Sequence, residues 1–202
     1  MDLFGFKSNG VFIEAGACDG ILNSNTFFLE KNYEWTGLLV EPIKEYYLQL
    51  EQNRDVIISN VALSQVNNQQ LDFLITANKD LSTIKGYEDN DYHSENRKNY
   101  KIKKVPTRSL DQLIEENLQN IKIDFLSLDT EGSEFDIIKS LDFLKHKINV
   151  ICVEHNFNMN RVLIHNHLSA NNYKKLHFPF LQIDDFYILN NFCPKNKYFQ
   201  FD

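Results

Sequence analysis

Short apolar segments alternate along the chain with segments whose apolar residues recur at helical spacing. The apolar segments cover residues 11–15, 37–40, 56–61, 123–128 and 150–153. Strands that are apolar on both faces are typical of parallel sheets covered by helices on both sides. The alternation therefore predicts an α/β fold, a three-layer sandwich around a mostly parallel sheet. The length of 202 residues fits a single domain over residues 1–202.

The helical segments have recognisable beginnings. Asn23, Ser24 or Asn25 is expected to cap a helix that reaches residue 32 and turns Phe27 and Phe28 toward the core. Further helices are predicted over residues 43–50, 109–117, 133–144 and 159–170, the second of these with a capping box formed by Ser109 and Gln112.

The remaining segments complete a core that spans residues 11–190. Residues 71–75 are predicted to form an edge strand, residues 102–106 to be extended, and residues 176–183 and 187–189 to form a hairpin. The polar segment 78–99 shows little periodicity, and we expect it to be a long mobile loop.

Charge and cysteine content narrow the function classes. A net charge of −7 argues against a surface that tracks nucleic-acid phosphates. No apolar run is long enough to span a bilayer, and the first ten residues lack the apolar region of a signal peptide. Three widely spaced cysteines suit a reducing compartment, so we expect a cytoplasmic protein without disulfides.

Polar residues follow the apolar strands at the points where the strands end. In chain order they are Glu14 and Gly16, Glu41, Asn60, Asp129 and Glu131, and Glu154 and His155. In an open α/β sheet, ligands bind outside the carboxyl ends of the strands. A single acid in such a place is commonly a helix cap, but the repeated placement predicts one acidic site.

The first of these strand ends carries a glycine-containing turn, Glu14-Ala15-Gly16-Ala17-Cys18-Asp19-Gly20. The dinucleotide fingerprint Gly-x-Gly-x-x-Gly is absent, and Asp19 would repel a pyrophosphate. A nucleoside without phosphates is therefore favoured. Glu41 lies about 20 residues beyond Gly20, the spacing at which an acid commonly accepts hydrogen bonds from ribose hydroxyls.

These residues together resemble the FkbM family of methyltransferases over about residues 11–190. The resemblance rests on the first turn, on Ser24-Asn25-Thr26, Gly37-Leu38-Leu39-Val40-Glu41-Pro42 and Asn60-Val61-Ala62-Leu63, and most specifically on Asp129-Thr130-Glu131-Gly132-Ser133-Glu134 with Glu154-His155. It implies a class I, Rossmann-like methyltransferase fold whose seven-stranded sheet has an antiparallel last strand. It also implies S-adenosylmethionine as methyl donor and O-methylation of a small hydroxylated acceptor, often a sugar or secondary metabolite.

On this resemblance, the methyl donor is assigned to the first half of the chain. Its expected binding residues are Glu14, Gly16, Ala17, Gly20, Glu41 and Pro42, with Ser24, Asn25 and Thr26 near the methionine end, Asn60 and Ala62 beside the adenine, and Asp129.

The residues expected to act on the acceptor are His155, Glu154, Asp129 and Glu131. His155 can serve as general base near neutral pH. Asp129 and Glu154 can instead hold Mg²⁺ or Mn²⁺, which would lower the pKa of the acceptor hydroxyl. Glu131 and Glu134 have a second interpretation as acids that cap the following helix.

Several alternatives stay open on the sequence. The first core strand begins at Val11, so the acceptor site is expected to be open, completed by a second subunit, or assembled from residues 78–99. The basic run 97–104 suits either an anionic acceptor or a solvated strand, and Tyr87, Tyr92 and Tyr100 suit stacking on sugar rings. The rival functions are an NAD-linked oxidoreductase and a non-catalytic binding module.

Overall fold

The computed structural model describes residues 2–177, 183–194 and 200–201. Helices and strands alternate through most of the chain. The strands are β1 (Val11–Ala15), β2 (Thr36–Val40), β3 (Ile57–Ser59), β4 (Ala62–Leu63), β5 (Gln70–Thr76), β6 (Thr83–Ile84), β7 (Tyr100–Arg108), β8 (Ile123–Leu128), β9 (Ile148–Glu154), β10 (Tyr173–His177), β11 (Asp184–Leu189) and β12 (Gln200–Phe201). The α-helices are α1 (Phe27–Tyr33), α2 (Lys44–Asn53), α3 (Leu110–Asn117), α4 (Glu134–Ser140) and α5 (Asn160–Ala170), and short 3-10 helices cover Asp2–Phe4, Lys79–Leu81 and Ser94–Arg97.

The central sheet has the order β12-β10-β11-β9-β8-β1-β2-β3. Strands β3, β2, β1, β8 and β9 are parallel neighbours, whereas β11 runs antiparallel to both β9 and β10. The Rossmann-like fold with an antiparallel last main strand is therefore confirmed. The short β12 adds an eighth strand at the edge, antiparallel to β10.

Two apolar layers enclose this sheet. Because successive strand residues point to opposite faces, Phe12 and Ile13 pack into different core clusters, as do Leu38 and Leu39. Helices α3, α4 and α5 cover one face, and α1 and α2 cover the other through Leu29 and Leu50. Strands buried on both faces explain why their segments are apolar throughout.

A second sheet, of order β4-β7-β5-β6, stands beside the carboxyl ends of the central strands. Residues 71–75 were expected to form an edge strand, and this expectation is wrong. Strand β5 is flanked by β7 and β6, because residues 100–108 and 83–84 both pair with it. The extended segment 102–106 lies within β7 and is confirmed.

The segment 78–99 contains two of the 3-10 helices and β6, so the expectation that it lacks regular structure is wrong. The buried Arg97 organises this segment, and a lone buried cation leaves no apolar periodicity in the sequence. The mobility of the segment stays a prediction.

Element ends differ from the expectations in a few places. Phe28 is 55% exposed, and Leu29 is the residue of α1 that is buried. Helix α4 ends at Ser140 rather than near residue 144. The late hairpin is confirmed as β10 and β11, although residues 178–182 of its predicted first strand lie outside the described residues.

In the described part of the chain, no helix has the length and apolarity to cross a membrane.

Candidate functional site

A cavity of about 470 Å³ lies at the carboxyl ends of β1, β2, β8 and β9. This volume is within the range of pockets that hold small molecules. Residues from the second sheet and from segment 78–99 form its far wall. Ten of the residues predicted from the sequence line it: Gly16, Ala17, Ser24, Asn25, Glu41, Pro42, Ala62, Asp129, Glu131 and Glu154.

The turn after β1 brings two strand ends unusually close. Gly16 has φ +78°, and a Cβ placed there would lie 1.7 Å from the backbone oxygen of Asp129. Only glycine fits, because any side chain would push β1 and β8 apart. Gly20 does not line the cavity, and a Cβ there would lie 2.4 Å from Leu50 on α2. Gly20 therefore permits the turn to pack under α2.

The Glu41 carboxylate is held in a fixed orientation at the end of β2. It accepts hydrogen bonds from the backbone N–H groups of Cys18, at 3.0 Å, and Ile43, at 2.7 Å. Burial raises its pKa to about 8, against the opposing effect of these two N–H donors. Asn60 lies off the cavity wall, and its Nδ2 donates to the backbone oxygens of Glu41 and Pro42. Each carboxylate oxygen of Glu41 accepts one backbone N–H and keeps a further lone pair that can accept a hydrogen bond from a ligand in the cavity.

Glu14 lies behind the wall. Its carboxylate accepts hydrogen bonds from the Ser24 hydroxyl at 2.8 Å, the Thr26 hydroxyl at 2.6 Å and the Asn25 N–H at 2.7 Å. Arg54, also buried, donates to Ser24 Oγ and Thr26 Oγ1. We call Glu14, Ser24, Thr26 and Arg54 the donor-loop clasp. Sequence reasoning missed Arg54, since its partners lie far along the chain.

Three carboxylates converge at the ends of β8 and β9. Carboxylate oxygens of Asp129, Glu131 and Glu154 all lie within 4.8 Å of one another, and we call these residues the carboxylate triad. Burial raises the pKa of all three, and the negative charge of Asp129 raises the pKa of Glu154 further. A hydrogen bond joins Asp129 to Glu154, so a proton held on Glu154 relieves the repulsion between them.

The neighbouring Glu134 has a different role. Its carboxylate accepts hydrogen bonds from the backbone N–H groups of Thr130 and Gly132 at the start of α4. These bonds close the turn that precedes α4. The charge of Glu134 lies in the first turn of the helix, where a negative charge is favourable, whereas Glu131 lines the cavity.

Arg97 links segment 78–99 to the carboxylate triad through hydrogen bonds and ion pairs. Its guanidinium donates to Glu131, forms two hydrogen bonds of 2.7 Å and 3.0 Å with Asp91, and donates to the Leu81 backbone oxygen. Arg97 is 1% exposed, and we call Arg97, Asp91 and Glu131 the acceptor clasp. The rest of the basic run makes exposed ion pairs, Lys98 with Glu95, Lys103 with Glu45 and Lys104 with Asp72, as on a solvated strand.

His155 does not line the cavity. Its Nδ1 accepts a hydrogen bond from the Phe157 N–H at 3.1 Å, and its Nε2 lies 3.7 Å from Asp185 Oδ1. His93, from segment 78–99, does line the cavity. Sequence reasoning missed His93, because a single histidine in a polar segment without periodicity carries no recognisable signal.

The fold and the site define a Rossmann-like domain with a cavity at the carboxyl ends of its strands, a buried and oriented carboxylate, Glu41, and a cluster of three further carboxylates. The family model of the methyltransferase FkbM domain matches residues 14–186, and the chain belongs to this family. The family uses S-adenosylmethionine.

Among solved structures, the chain is similar to precorrin-6y C5,15-methyltransferase from Geobacter metallireducens GS-15. The TM-score is 0.41 and the sequence identity 12%, over 90% of this chain and 79% of that chain. No curated protein matches the chain.

Proposed function

We propose that this protein transfers the methyl group of S-adenosylmethionine to a hydroxyl group of a small acceptor, a sugar or a secondary metabolite. One observation carries the proposal: a single cavity joins Glu41 at the end of β2 to the carboxylate triad at the ends of β8 and β9. A nucleoside-bearing donor and a hydroxylated acceptor then meet end to end.

The methyl donor occupies the β1 and β2 side. Glu41 accepts the two ribose hydroxyls, because a carboxylate can bind both members of a vicinal diol through charge-assisted hydrogen bonds. Pro42 and Ala62 flank the adenine, and Ser24 and Asn25 lie near the methionine end. The four predicted donor residues off the wall, Glu14, Gly20, Thr26 and Asn60, act by positioning this loop and Glu41.

The acceptor occupies the β8 and β9 side. In the reaction, the acceptor oxygen forms a bond to the methyl carbon while the carbon–sulfur bond breaks and its electron pair returns to sulfur. Positioning supplies much of the rate of such an in-line displacement. The carboxylate triad binds hydroxyl groups of the acceptor, since acids held at different pKa values can accept and donate hydrogen bonds.

Exposed aromatic rings support a sugar as acceptor. Tyr92 and Phe157 are 55% and 64% exposed, and their ring centroids lie 6.2 Å apart. Tyr92 also lies within the field of Glu154 and Glu131, which raise its pKa after the effect of burial. Paired rings beside hydrogen-bonding carboxylates match the apolar faces and polar edges of a pyranose. An abundance of acids argues against an anionic acceptor.

The triad has a second role to be separated from direct hydroxyl binding. The triad offers three carboxylate oxygens that lie within 4.8 Å of one another. Carboxylate oxygens are ligands that Mg²⁺ and Mn²⁺ prefer, so the triad could hold either ion. A bound ion would lower the pKa of the acceptor hydroxyl. Activity that survives treatment with EDTA assigns the triad to the acceptor itself, and activity that is lost and returns with Mg²⁺ or Mn²⁺ assigns it to a metal.

The test is a calorimetric titration with S-adenosylmethionine, S-adenosylhomocysteine and NAD, followed by a screen of methyl glycosides and simple polyols for S-adenosylhomocysteine formation. We expect micromolar binding of the first two ligands, no binding of NAD, and turnover with at least one glycoside. Binding of NAD alone supports the oxidoreductase instead. Binding of the methyl donor without turnover of any alcohol contradicts O-methylation.

A further inference from the structure

We propose that His93 is the general base that removes the proton from the acceptor hydroxyl. The inference rests on the proposed function and deepens it, because it assigns a catalytic step to a residue of segment 78–99. The sequence directs attention to His155 instead, which follows β9 directly.

Two separate tethers hold His93 at the acceptor side of the cavity. The acceptor clasp ties the segment to the end of β8, because Arg97 bonds both Asp91 and Glu131. The ring of Tyr92 contacts Phe157, three residues beyond Glu154 at the end of β9. His93 lies between these tethers in the chain, and it lines the same cavity as Glu131 and Glu154.

Local bonds orient the imidazole within this frame. The backbone N–H of His93 donates to Asp91 Oδ1 at 2.8 Å, and its ring lies against that of Tyr92, with centroids 3.9 Å apart and planes tilted by 39°. The side-chain amide of Asn96 lies 3.5 Å from His93 Nδ1. The structure places the amide nitrogen, a donor, toward Nδ1. Turning this amide by 180° brings its oxygen to the ring, where it accepts the Nδ1 proton and leaves the lone pair on Nε2, the arrangement that a base acting through Nε2 requires.

The charge environment keeps His93 neutral. Burial lowers its pKa, Arg97 acts in the same direction, and Asp91 opposes both. The other acids on the walls of the same cavity are Glu41, Asp80, Asp129, Glu131, Glu154 and Asp184. By contrast, the Nδ1 lone pair of His155 is already used by the Phe157 N–H, and its Nε2 faces Asp185 away from the cavity.

In the proposed step, the acceptor oxygen attacks the methyl carbon as its proton passes to His93. The sulfonium becomes the neutral thioether, and the imidazole becomes imidazolium and later releases its proton to solvent. Bonds and charge balance without any further reactant. A positioned general base contributes about 10²- to 10⁴-fold to the rate.

The experiment compares His93→Gln and His93→Ala with His155→Gln and with the exposed His177→Gln as a matched control. The kcat for the best alcohol of the glycoside screen and the dissociation constant for S-adenosylhomocysteine are measured for each variant. We expect His93→Gln to lower kcat by at least about 100-fold, with S-adenosylhomocysteine affinity unchanged within twofold. Imidazole added to His93→Ala should restore part of the rate, a rescue that a merely structural role would not produce.

Two results overturn the inference: a His93→Gln enzyme that retains kcat within threefold of wild type, or a large kcat loss confined to His155→Gln. Failure of the proposed function is a separate observation, because it would appear in the wild-type enzyme as the absence of alcohol methylation. The two failures are therefore distinguishable.

Discussion

The two ends of the cavity are built in different ways. The end proposed for the methyl donor comes from one stretch of chain. Gly16 and Glu41 follow the neighbouring parallel strands β1 and β2, and Ala62 lies in the short strand β4. The end proposed for the acceptor joins segments that are distant in sequence: Arg97 pairs with Glu131, and the ring of Tyr92 lies beside that of Phe157. A cofactor site can therefore be built from residues close together in the sequence. The site proposed for the acceptor is assembled only when distant segments of the chain fold against each other.

The largest expected effect is at the donor end. Measured above pH 8, where Glu41 is ionised, Glu41→Ala should remove two charge-assisted hydrogen bonds to ribose, worth together about 3 kcal/mol, and weaken S-adenosylhomocysteine binding about 100-fold. Calorimetry measures this, with Glu51→Ala on the exposed face of α2 as the matched control. Unchanged affinity in Glu41→Ala would remove Glu41 from the donor site.

Variants of the two clasps should both lose stability, but they should differ in their effects on ligand affinity and on kcat. Arg54→Met and Arg97→Met each leave a buried carboxylate without its cation, and each should lower the free energy of unfolding by about 3 kcal/mol. Urea denaturation measures this loss. Arg54→Met should also weaken S-adenosylhomocysteine binding, whereas Arg97→Met should lower kcat with that affinity retained.

Arg54→Lys and Arg97→Lys serve as conservative controls, since lysine keeps the charge without the planar fork. If both methionine variants weakened the methyl donor equally, the division of the cavity into two ends would be wrong.

The affinity for S-adenosylhomocysteine should depend on pH through Glu41, at the end of the cavity proposed for the methyl donor. Burial raises the pKa of Glu41 to about 8 in the free protein, and the ionised form is the better acceptor for ribose hydroxyls. Affinity for S-adenosylhomocysteine should therefore be highest above pH 8 and fall as pH decreases, by at most about tenfold per unit. Calorimetry from pH 6.5 to 9 follows the change, and Glu41→Gln should remove this slope. A slope that persists in Glu41→Gln assigns it to another group.

The smallest effect concerns the aromatic pair. Tyr92→Ala and Phe157→Ala should each raise the KM for a glycoside several-fold, because a ring contact contributes about 0.5–1.5 kcal/mol. The affinity for S-adenosylhomocysteine should not change. Phe28→Ala, which removes a comparably exposed ring from α1, is the control. An unchanged KM in both variants would place the acceptor elsewhere.

Much of the fold was predictable because its strands are buried on both faces. Strand β1 has the predicted bounds, and Ser109 Oγ accepts the Gln112 N–H at the start of α3 as the capping box implied. The second sheet was less predictable, because its strand β7 pairs with β4 and β5 across long intervening segments and carries exposed lysines rather than an apolar run.

The residues of the site also differ in how far the sequence predicts them. Glu41 and Gly16 were predicted from local spacing, whereas Arg54 bonds Thr26 and Arg97 bonds Glu131, partners that lie 28 and 34 residues away. His155 was chosen because it follows a strand, yet successive residues of an extended chain point in opposite directions. Since Glu154 faces the cavity, its neighbour His155 faces Asp185 instead.

A crystal structure with S-adenosylhomocysteine tests this account most directly. We predict that both ribose hydroxyls contact the Glu41 carboxylate and that the sulfur points toward Asp129 and Glu154, with His93 across the remaining space. A nucleoside bound against segment 78–99, with Glu41 left free, would contradict the division of the cavity into a donor end and an acceptor end.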